Sequence, residues 1–303
     1  MVKRVAVLAV ILCITAAAAY RYSHPFRILV WYAEGRSPVC PLSDALKVDE
    51  NLNHQVEYKD EILNASKLLQ EDPKGYELWQ TPNRQYWIPA GSRYVLPFNL
   101  AEQRRKIYGS GDYGPHAGDI TLDCGANIGV TIYEELAAGA KTVVAIEPAP
   151  ENLECLRRNY PAEIASGRVI IVPKGVWDKE DSLTLKVDPK NSAADSFVMP
   201  LKGAVDLLKV PLTTIDNLVS ELKLERVDYI KLDIEGAEPN ALRGARQTLA
   251  KFKPRISISA YHRPDHPKLI PEIIRSARSD YQMQCGPCAE TESGIRPDIL
   301  YFK

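Results

Sequence analysis

The chain has 303 residues, of which 45% are hydrophobic and 25% charged, with a formal net charge of −1 at pH 7. This composition is ordinary for a globular protein, and the length suffices for one large domain or two modest ones. The small net charge provides no overall attraction to nucleic acid or to an acidic membrane surface, so no nucleic-acid partner is expected.

The N-terminal segment, residues 1–36, has an unusual composition. Two basic residues precede an uncharged apolar run at residues 5–20, and a second apolar run follows at residues 26–33. A cleaved signal peptide, an uncleaved anchor and a buried N-terminus all fit this pattern, although the first run is short for a membrane span of about 20 residues. We expect membrane association through residues 5–33, and folding without the residues before Arg36.

Residues 37–117 contain no motif whose spacing indicates a chemistry. The pattern predicts an amphipathic helix at residues 60–70, a strand and turn at residues 86–95, and a helix at residues 100–108. We interpret this region as a small cap, or a substrate-side region, of the domain that follows.

From residue 118 to residue 303, short apolar strands alternate with amphipathic helices. Strands are predicted at residues 120–123, 142–147, 169–172, 229–234, 255–260 and 299–302, with a half-buried hairpin strand at 182–187. Helices are predicted at residues 150–159, 212–222, 239–252 and 269–277. This alternation indicates a parallel sheet with helices on both faces. Ligands of such sheets bind at the carboxyl ends of the strands, where the candidate residues should therefore lie.

The first of these strands leads into a glycine-containing loop, Asp123-Cys-Gly125-Ala-Asn127-Ile-Gly129. The two glycines allow the backbone to approach a ligand closely. Glu147 ends the next strand, where a carboxylate can accept both hydroxyls of a ribose. The loop lacks the GxGxxG pattern that suits a pyrophosphate, and Asp123 suits a sulfonium or an amino group better than phosphates.

Four segments of this region carry a resemblance to a known family: GDITLDCGANIG (118–129), AIEPAPENLECLRRN (145–159), TIDNLV (214–219) and YIKLDIEGAEPNALRGA (229–245). Together they resemble the FkbM-type family of methyltransferases, over about residues 95–303. The resemblance implies a Rossmann-like methyltransferase fold, which is a doubly wound, mainly parallel seven-stranded sheet with helices on both faces. It also implies S-adenosyl-L-methionine as the methyl donor and, typically, a hydroxyl as the acceptor.

The resemblance also implies a set of cofactor-binding residues. The loop residues would line the methionine portion of the cofactor and Glu147 would hold its ribose. Val176 and Trp177 would form the wall beside the adenine, although core packing is an equal alternative for Trp177. The full set is Asp123, Gly125, Asn127, Gly129, Glu147, Val176, Trp177 and Asp233.

Three carboxylates follow the strand at residues 229–234: Asp233, Glu235 and Glu238. Packing alone does not explain them, because carboxylates are rarely buried without a partner. Asp233 and Glu235 would offset the charge of a sulfonium, or orient an acceptor hydroxyl and take its proton. Glu238 fits the N-terminus of a helix equally well.

His262, just after the next strand, is the residue that we expect to act as the base. An unperturbed imidazole titrates near neutral pH, which suits proton transfer, and a surface-loop histidine is the alternative. The predicted catalytic residues are thus His262, Asp233 and Glu235. No metal is expected, because Asp233 with His262 or Asp265 forms no complete ligand set for Mg²⁺.

The six cysteines do not follow the pattern of a secreted disulfide framework. Cys285-Gly-Pro-Cys288 has the spacing of a redox dithiol, but it lies near the C-terminus and not at the start of a βαβ helix. We favour a turn with two incidental thiols, or a metal-binding or structural pair.

The resemblance and the site residues together predict an O-methyltransferase acting on a hydroxyl of a sugar, glycan, lipid or secondary metabolite. A nicotinamide-dependent oxidoreductase, a non-catalytic membrane-anchored binding protein and a dithiol oxidoreductase are the alternatives. Since S-adenosyl-L-methionine is a cytosolic metabolite, we expect the catalytic domain on the cytoplasmic side of a membrane. The oligomeric state is left open.

Overall fold

The computed structural model describes residues 2–37, 39–187, 191, 193, 195–199 and 206–303 of the chain. The β-strands within these ranges are Lys67–Asp72 (β1), Tyr76–Gln80 (β2), Gln85–Pro89 (β3), Ile120–Cys124 (β4), Thr142–Ile146 (β5), Val169–Val172 (β6), Gly175–Val176 (β7), Asp181–Val187 (β8), Asp206–Thr213 (β9), Tyr229–Leu232 (β10), Arg255–Ser259 (β11), Met283–Cys285 (β12), Cys288–Glu290 (β13), Ile295–Pro297 (β14) and Ile299–Phe302 (β15). The α-helices are Val2–Tyr22 (α1), His24–Ala33 (α2), Leu42–Ala45 (α3), Val48–Ala65 (α4), Val95–Arg104 (α5), Val130–Ala137 (α6), Pro150–Asn159 (α7), Pro161–Ala165 (α8), Ile215–Glu221 (α9), Glu238–Arg243 (α10), Arg246–Phe252 (α11) and His266–Ala277 (α12), and a short 3-10 helix lies at Gly111–Tyr113.

The main sheet has seven strands in the described part of the chain, in the order β12-β15-β11-β10-β4-β5-β6. The strands from β6 to β11 along this order run parallel, and β15 lies antiparallel between β11 and β12. The winding reverses beside β4, so the carboxyl ends of β4, β5 and β10 open into one crevice. The predicted doubly wound, mainly parallel seven-stranded sheet is confirmed.

Helices cover both faces of this sheet, and β5 shows why its sequence is apolar throughout. Val143 and Ala145 contact a core cluster formed with α6 and α7. Val144 and Ile146 belong to a second cluster, formed with α9, α10, α11 and α12. Successive residues of a strand point to opposite faces, so a strand buried on both faces needs an apolar residue at every position.

The six strands predicted for the main sheet are confirmed, with ends that differ by at most two residues, and the predicted hairpin strand corresponds to β8. The helix predicted at residues 60–70 is wrong in its second half. There α4 ends at Ala65, and the next residues form β1, which pairs with the distant β2. Local periodicity does not reveal such a pairing, because it depends on a partner further along the chain.

Two other helix predictions need correction. The helix predicted at residues 212–222 starts only after Thr214, whose Oγ1 accepts a hydrogen bond from the Asn217 N–H, and the residues before it belong to β9. The helix predicted at residues 239–252 divides at Gly244 into α10 and α11. A Cβ on Gly244 would clash with the carbonyl oxygen of Trp177, so the close approach of two segments sets this division.

Residues 37–117 pack against the main domain through a shared core. Ile62, Tyr86 and Ile88 from this region form one hydrophobic cluster with Ile128 and Val130, at the start of α6. The region includes the three-stranded sheet β1-β2-β3 and α5, which begins earlier than the helix predicted at residues 100–108. This packing places α5 over the carboxyl edge of the main sheet.

The N-terminal segment has two structurally different parts. In α1, the stretch Arg4–Tyr22 has 19 residues and a mean hydropathy of 1.9, and its side chains are not buried against the rest of the protein. Its length and composition would allow it to cross a membrane. A signal sequence has the same properties. In α2, by contrast, Ile28 and Trp31 are buried in the main core, and Arg27 pairs with Glu290. A chain without the residues before Arg36 loses these core side chains, so the expectation that it folds stays a prediction and the structure argues against it.

Candidate active site

A cavity of about 620 Å³ opens at the carboxyl ends of β4, β5 and β10. One side is formed by the strand-end loops of the main sheet, and the other by α5 and the residues around it. Six of the predicted site residues line it: Gly125, Asn127, Glu147, Val176, Asp233 and Glu235. The other four predicted residues, although described, are not part of its lining: Asp123, Gly129, Trp177 and His262.

Asp123 lies beneath the glycine loop and not in the cavity. Its side chain is fully buried, and its Oδ1 lies 3.1 Å from Nζ of Lys231. Burial lowers the pKa of Lys231, but Asp123 and Asp233 outweigh this effect and raise it overall, so the ammonium group is protonated. The predicted contact of Asp123 with the cofactor is not supported, because Lys231 already neutralises this carboxylate.

Lys231 is a site residue that the sequence analysis missed. Lys231 belongs to the lining of the cavity, and its Nζ donates a hydrogen bond of 2.7 Å to the carbonyl oxygen of Gly125. It thereby connects β10 to the loop after β4. The sequence could have indicated Lys231 through its position two residues before Asp233, because residues i and i+2 of a strand face the same side.

The two glycines of the loop allow neighbouring segments of the chain to pack closely against it. Gly125 has a φ of +81°, and a Cβ there would clash with the carbonyl oxygen of Asp233. Gly129 has a φ of +92°, and a Cβ there would collide with the ring of Tyr160. Gly125 thus lets the ends of β4 and β10 approach each other, and Gly129 lets α6 approach α7.

The Glu147 carboxylate lies in the cavity wall and is held by nitrogen donors. It accepts hydrogen bonds from the backbone N–H groups of Asn127 (2.8 Å) and Ala149 (3.0 Å), and from Nδ2 of Asn152 (3.3 Å). Burial raises the pKa of Glu147 to about 7, although these donors act in the opposite direction. The loop after β4 and the end of β5 are therefore joined through this one carboxylate.

Val176 and Trp177 have different surroundings although they are adjacent. Val176 lines the cavity together with Ile146 and Phe197. The indole ring of Trp177 lies edge-on to Phe197, with 6.3 Å between ring centroids. This position matches the packing alternative for Trp177, whereas Val176 belongs to an apolar wall.

His262 lies behind the cavity wall, among three carboxylates. Its Nδ1 is 2.8 Å from Oε1 of Glu238, and its Nε2 is 3.4 Å from Oε1 of Glu235 and 3.6 Å from Oδ1 of Asp233. Burial would lower the pKa of His262, but these carboxylates outweigh it and raise the pKa to about 11. The predicted role of a base titrating near neutrality is not supported by these surroundings, because the carboxylates favour a protonated imidazole at neutral pH.

Asp233 and Glu235 face the cavity with opposite pKa shifts. Burial would raise the pKa of Asp233, but Lys231, His262 and the hydroxyl of Tyr108 outweigh it and lower that pKa overall. The Tyr108 hydroxyl donates a hydrogen bond of 2.6 Å to Oδ2 of Asp233. Burial raises the pKa of Glu235, and His262 opposes this effect only in part. Asp233 is therefore a stable anion, whereas Glu235 is the better proton acceptor.

Glu235 is held in an uncommon backbone conformation. Its φ is +52°, in the left-handed region that non-glycine residues rarely occupy. The hydroxyl of Ser196 donates a hydrogen bond of 2.7 Å to the Glu235 carbonyl oxygen. Strained residues of this kind cluster at functional sites, and Glu235 belongs to the lining of the cavity.

The same cluster has the spacing of a cation site. Asp233, Glu238 and His262 each offer one ligand atom within 4.8 Å of the others. The contact of 2.8 Å between the imidazole and Glu238 accounts for this geometry as an ion pair with a protonated ring. A metal and this protonated imidazole are mutually exclusive, since a histidine ligand must be neutral.

The wall opposite the sheet contains residues that no sequence motif indicated. Tyr94, Phe98, Glu102 and Tyr108 line the cavity from α5 and its flanking segments, and Tyr261 completes this wall. Burial raises the pKa of Glu102 to about 8, and Asp233 adds to the shift. This wall combines aromatic rings with a carboxyl group that is mostly protonated at neutral pH.

Comparison with known proteins defines the class of this protein. The family profile of the methyltransferase FkbM domain matches residues 123–283, which is more than half of the chain. The chain belongs to the FkbM methyltransferase family, as the sequence motifs predicted.

Two relatives have similar sequences over part of their length. Methyltransferase 1 of Beauveria bassiana is 28% identical over 153 residues, which are 44% of this chain and 61% of the relative. The 2-O-methyltransferase NoeI of Sinorhizobium fredii is 28% identical over 152 residues, 44% of this chain and 60% of the relative. The similarity thus spans less than two thirds of each relative.

Solved structures of methyltransferases are also similar to this chain. The methyltransferase FkbM from Methylobacillus flagellatus has a TM-score of 0.47 and 20% identity, covering 86% of this chain and 62% of that chain. The precorrin-6Y C5,15-methyltransferase from Geobacter metallireducens has a TM-score of 0.34 and 14% identity, and the match covers 69% of this chain and 85% of that chain.

Proposed function

We propose that this protein transfers a methyl group from S-adenosyl-L-methionine to a hydroxyl oxygen of its acceptor. The observation that carries the proposal is the pairing of Asp233 and Glu235 at the edge of the cavity, one a stable anion and the other a carboxyl group with a raised pKa. Membership of the FkbM family supports the reaction class. The relative NoeI, named a 2-O-methyltransferase, supports oxygen as the acceptor atom.

The residues around the cavity fit this cofactor. Val176, Ile146 and Phe197 offer an apolar wall for the adenine, and the Glu147 carboxylate lies where a ribose could donate hydrogen bonds. The ionised Asp233 offers a counter-charge for the sulfonium. When bound, S-adenosyl-L-methionine supplies a methyl group on a positively charged sulfur.

The residues of this chain would then align the reactants and accept one proton. When the acceptor hydroxyl is methylated it must lose its proton, and the Glu235 carboxylate would accept that proton. His262, 3.4 Å away, holds that carboxylate in place. Alignment alone can lower such a barrier by about 7–11 kcal/mol, and a positioned base adds roughly 10²–10⁴-fold.

The wall opposite the sheet favours a sugar or glycan acceptor over a lipid or an apolar secondary metabolite. Tyr94, Phe98 and Tyr261 offer flat apolar faces, and Glu102 offers a carboxyl group that can both donate and accept hydrogen bonds. A few polar groups among aromatic surfaces fix the orientation of a polyhydroxylated ring.

We propose further that α1 tethers the catalytic domain to a membrane, on its cytoplasmic side. The support is the exposed apolar stretch Arg4–Tyr22 and the cytosolic origin of the proposed methyl donor. Fractionation of cells that express the full chain should find it in the membrane pellet after alkaline extraction. Recovery in the soluble fraction, or outside the cell, would disprove the tether.

Two measurements test the enzymatic proposal. Calorimetry of the full chain in detergent should detect binding of S-adenosyl-L-methionine and of its demethylated product, but not of NAD. Glu147→Ala should weaken the binding by about 1.5–3 kcal/mol, the range for a hydrogen bond to a charged group. Labelled methyl donor should then label a member of a panel of sugars, oligosaccharides and lipids. No heat and no thermal shift with the donor would refute the proposal.

A further inference from the structure

The last turn of α1 contacts the folded domain through side chains of α2. The indole N–H of Trp31 donates a hydrogen bond of 2.8 Å to the hydroxyl of Tyr20. The guanidinium group of Arg27 donates to the carbonyl oxygens of Tyr20 (3.2 Å) and Arg21 (3.4 Å). One residue, Ser23, separates α1 from α2. A bilayer crossed by α1 would therefore lie at a fixed place on the domain, next to the junction of α1 and α2.

Helix α4 starts beside this junction and leads to the mouth of the cavity. Nδ1 of His24, at the start of α2, lies 2.9 Å from Oδ1 of Asp49, in the first turn of α4. Further along α4, Nε2 of Gln55 donates a hydrogen bond of 3.0 Å to the carbonyl oxygen of Phe98 in α5. Gln55 follows Asp49 by six residues, which is about 9 Å along a helix axis. Phe98, which lines the cavity, is therefore close to the point where α1 meets the domain.

Four large apolar side chains are exposed along this path, and we call them the apolar rim: Leu52 and Val56 on α4, and Tyr94 and Phe98 at the start of α5. Their exposed fractions lie between 44% and 63%. Residues four apart in a helix are neighbours on one face, so each pair forms an apolar strip. Gln55, next to Val56, bonds to Phe98 and so brings the two strips together. Tyr94 and Phe98 also line the cavity, so the apolar rim borders its mouth.

We propose that the apolar rim lies in the boundary between the headgroups and the acyl chains of the bilayer that α1 crosses, an inference that rests on the proposed membrane tether. Exposed apolar patches mark binding surfaces, and tyrosine is enriched at membrane interfaces. Asp49 lies three residues before Leu52, on the same face of α4, and it contacts His24 at the α1–α2 junction. This face of α4 is thus on the side of the domain where α1 would enter the bilayer.

The charges of α4 indicate which lipids suit this contact. Glu50 and Glu57 are exposed on this helix, so anionic headgroups would be repelled. The contact therefore depends on burial of apolar side chains in a neutral bilayer. At this depth the mouth of the cavity lies among the lipid headgroups, where a sugar carried on a membrane lipid would reach it directly.

The full chain in phosphatidylcholine nanodiscs is the material for the test. Cys13 is exposed and the other five cysteines are buried, so Cys13→Ser provides a background for labelling one introduced cysteine at a time. A fluorophore on Val56→Cys should be quenched several-fold more strongly by lipids with brominated acyl chains than one on Leu69→Cys. Leu69 lies on β1 and is the matched control, since its exposed fraction is 49% and that of Val56 is 45%. Ile11→Cys, in the middle of α1, reports on the tether itself.

The pattern of quenching separates the rim contact from the tether. Quenching on Ile11→Cys and Val56→Cys but not on Leu69→Cys is the expected result. Quenching on Ile11→Cys alone, or equal quenching on Val56→Cys and Leu69→Cys, overturns the rim contact and leaves the tether standing. If Ile11→Cys is not quenched, the tether fails and the rim contact fails with it.

A second measurement needs no substitution in the chain. Phosphatidylcholine with a photoreactive group on its acyl chain should label peptides from α1, α4 and α5 of the unmodified protein, and spare those from β1. Label confined to α1 contradicts the rim contact, whatever the labelled variants show.

Discussion

Lys231 and Asp123 lie opposite each other on neighbouring parallel strands, β10 and β4, with 3.1 Å between Nζ and Oδ1. Both side chains are almost fully buried, and the same ammonium group holds the carbonyl oxygen of Gly125. The acidic residue at the start of the glycine loop is therefore connected to the cavity through a lysine. Of this pair, Lys231 belongs to the lining of the cavity and Asp123 does not.

The Lys231→Met variant should be destabilised by about 3–5 kcal/mol, because it leaves a buried carboxylate without its partner. Denaturant unfolding measures this loss, and methyl-donor binding should weaken with it, since the loop at Gly125 loses its anchor. The double variant Lys231→Met with Asp123→Leu should regain most of the stability but not the donor binding. A single variant as stable as the wild type would show that the pair is not a structural anchor.

The sequence predicts the strands of the main sheet better than it predicts the residues that line the cavity. The parallel strands follow from runs such as Val143–Ile146, because a strand covered on both faces must be apolar throughout. The carboxylates at Asp233 and Glu235 follow from their place after a strand. No local pattern indicates Tyr108 or Glu102, which reach the cavity only because a separate region packs over the sheet.

His262 shows a different limit of prediction. Its position after β11 is readable from the sequence, but its protonation state depends on Glu238, from a neighbouring helix. The sequence suggests the ordinary pKa of an imidazole, whereas the three carboxylates around His262 raise that pKa. Electrostatic environments of this kind require the three-dimensional arrangement.

The raised pKa of His262 makes the stability of the fold dependent on pH in a specific direction. In the unfolded chain its pKa is about 6.5, and in the folded protein it is about 11. Its contribution is therefore fully present below about pH 6.5, and it is lost progressively as the pH rises toward 11.

Urea unfolding between about pH 6 and pH 10 checks this dependence. The free energy of unfolding of the wild type should fall with rising pH, and the His262→Gln variant should show a smaller fall from a lower starting value. His54→Gln, at a partly exposed position of α4 where the ring stacks on Tyr58, is the matched control and should follow the wild type. Parallel curves for His262→Gln and the wild type would contradict the protonated state.

Asp233 and Glu235 should respond differently to loss of charge. Asp233→Asn should weaken donor binding and also slow turnover, because it removes the anion beside the sulfonium. Glu235→Gln should bind the donor nearly normally and lose roughly 10²–10⁴-fold in turnover. Calorimetry and single-turnover rates separate the two effects, and Glu225→Gln, an exposed acid, is the control. Full activity of Glu235→Gln would rule out this carboxylate as the base.

The boundary between the dispensable N-terminus and the folded chain should lie between α1 and α2. A chain beginning at Ser23 keeps Ile28 and Trp31 in the core and should unfold at the same denaturant concentration as the full chain. A chain beginning at Arg36 loses both side chains, and Trp31→Ala in the full chain should by itself cost about 3–5 kcal/mol. Leu29→Ala, on the exposed side of α2, should be nearly neutral. Equal stability of the two truncated chains would mean that α2 is not part of the folded core.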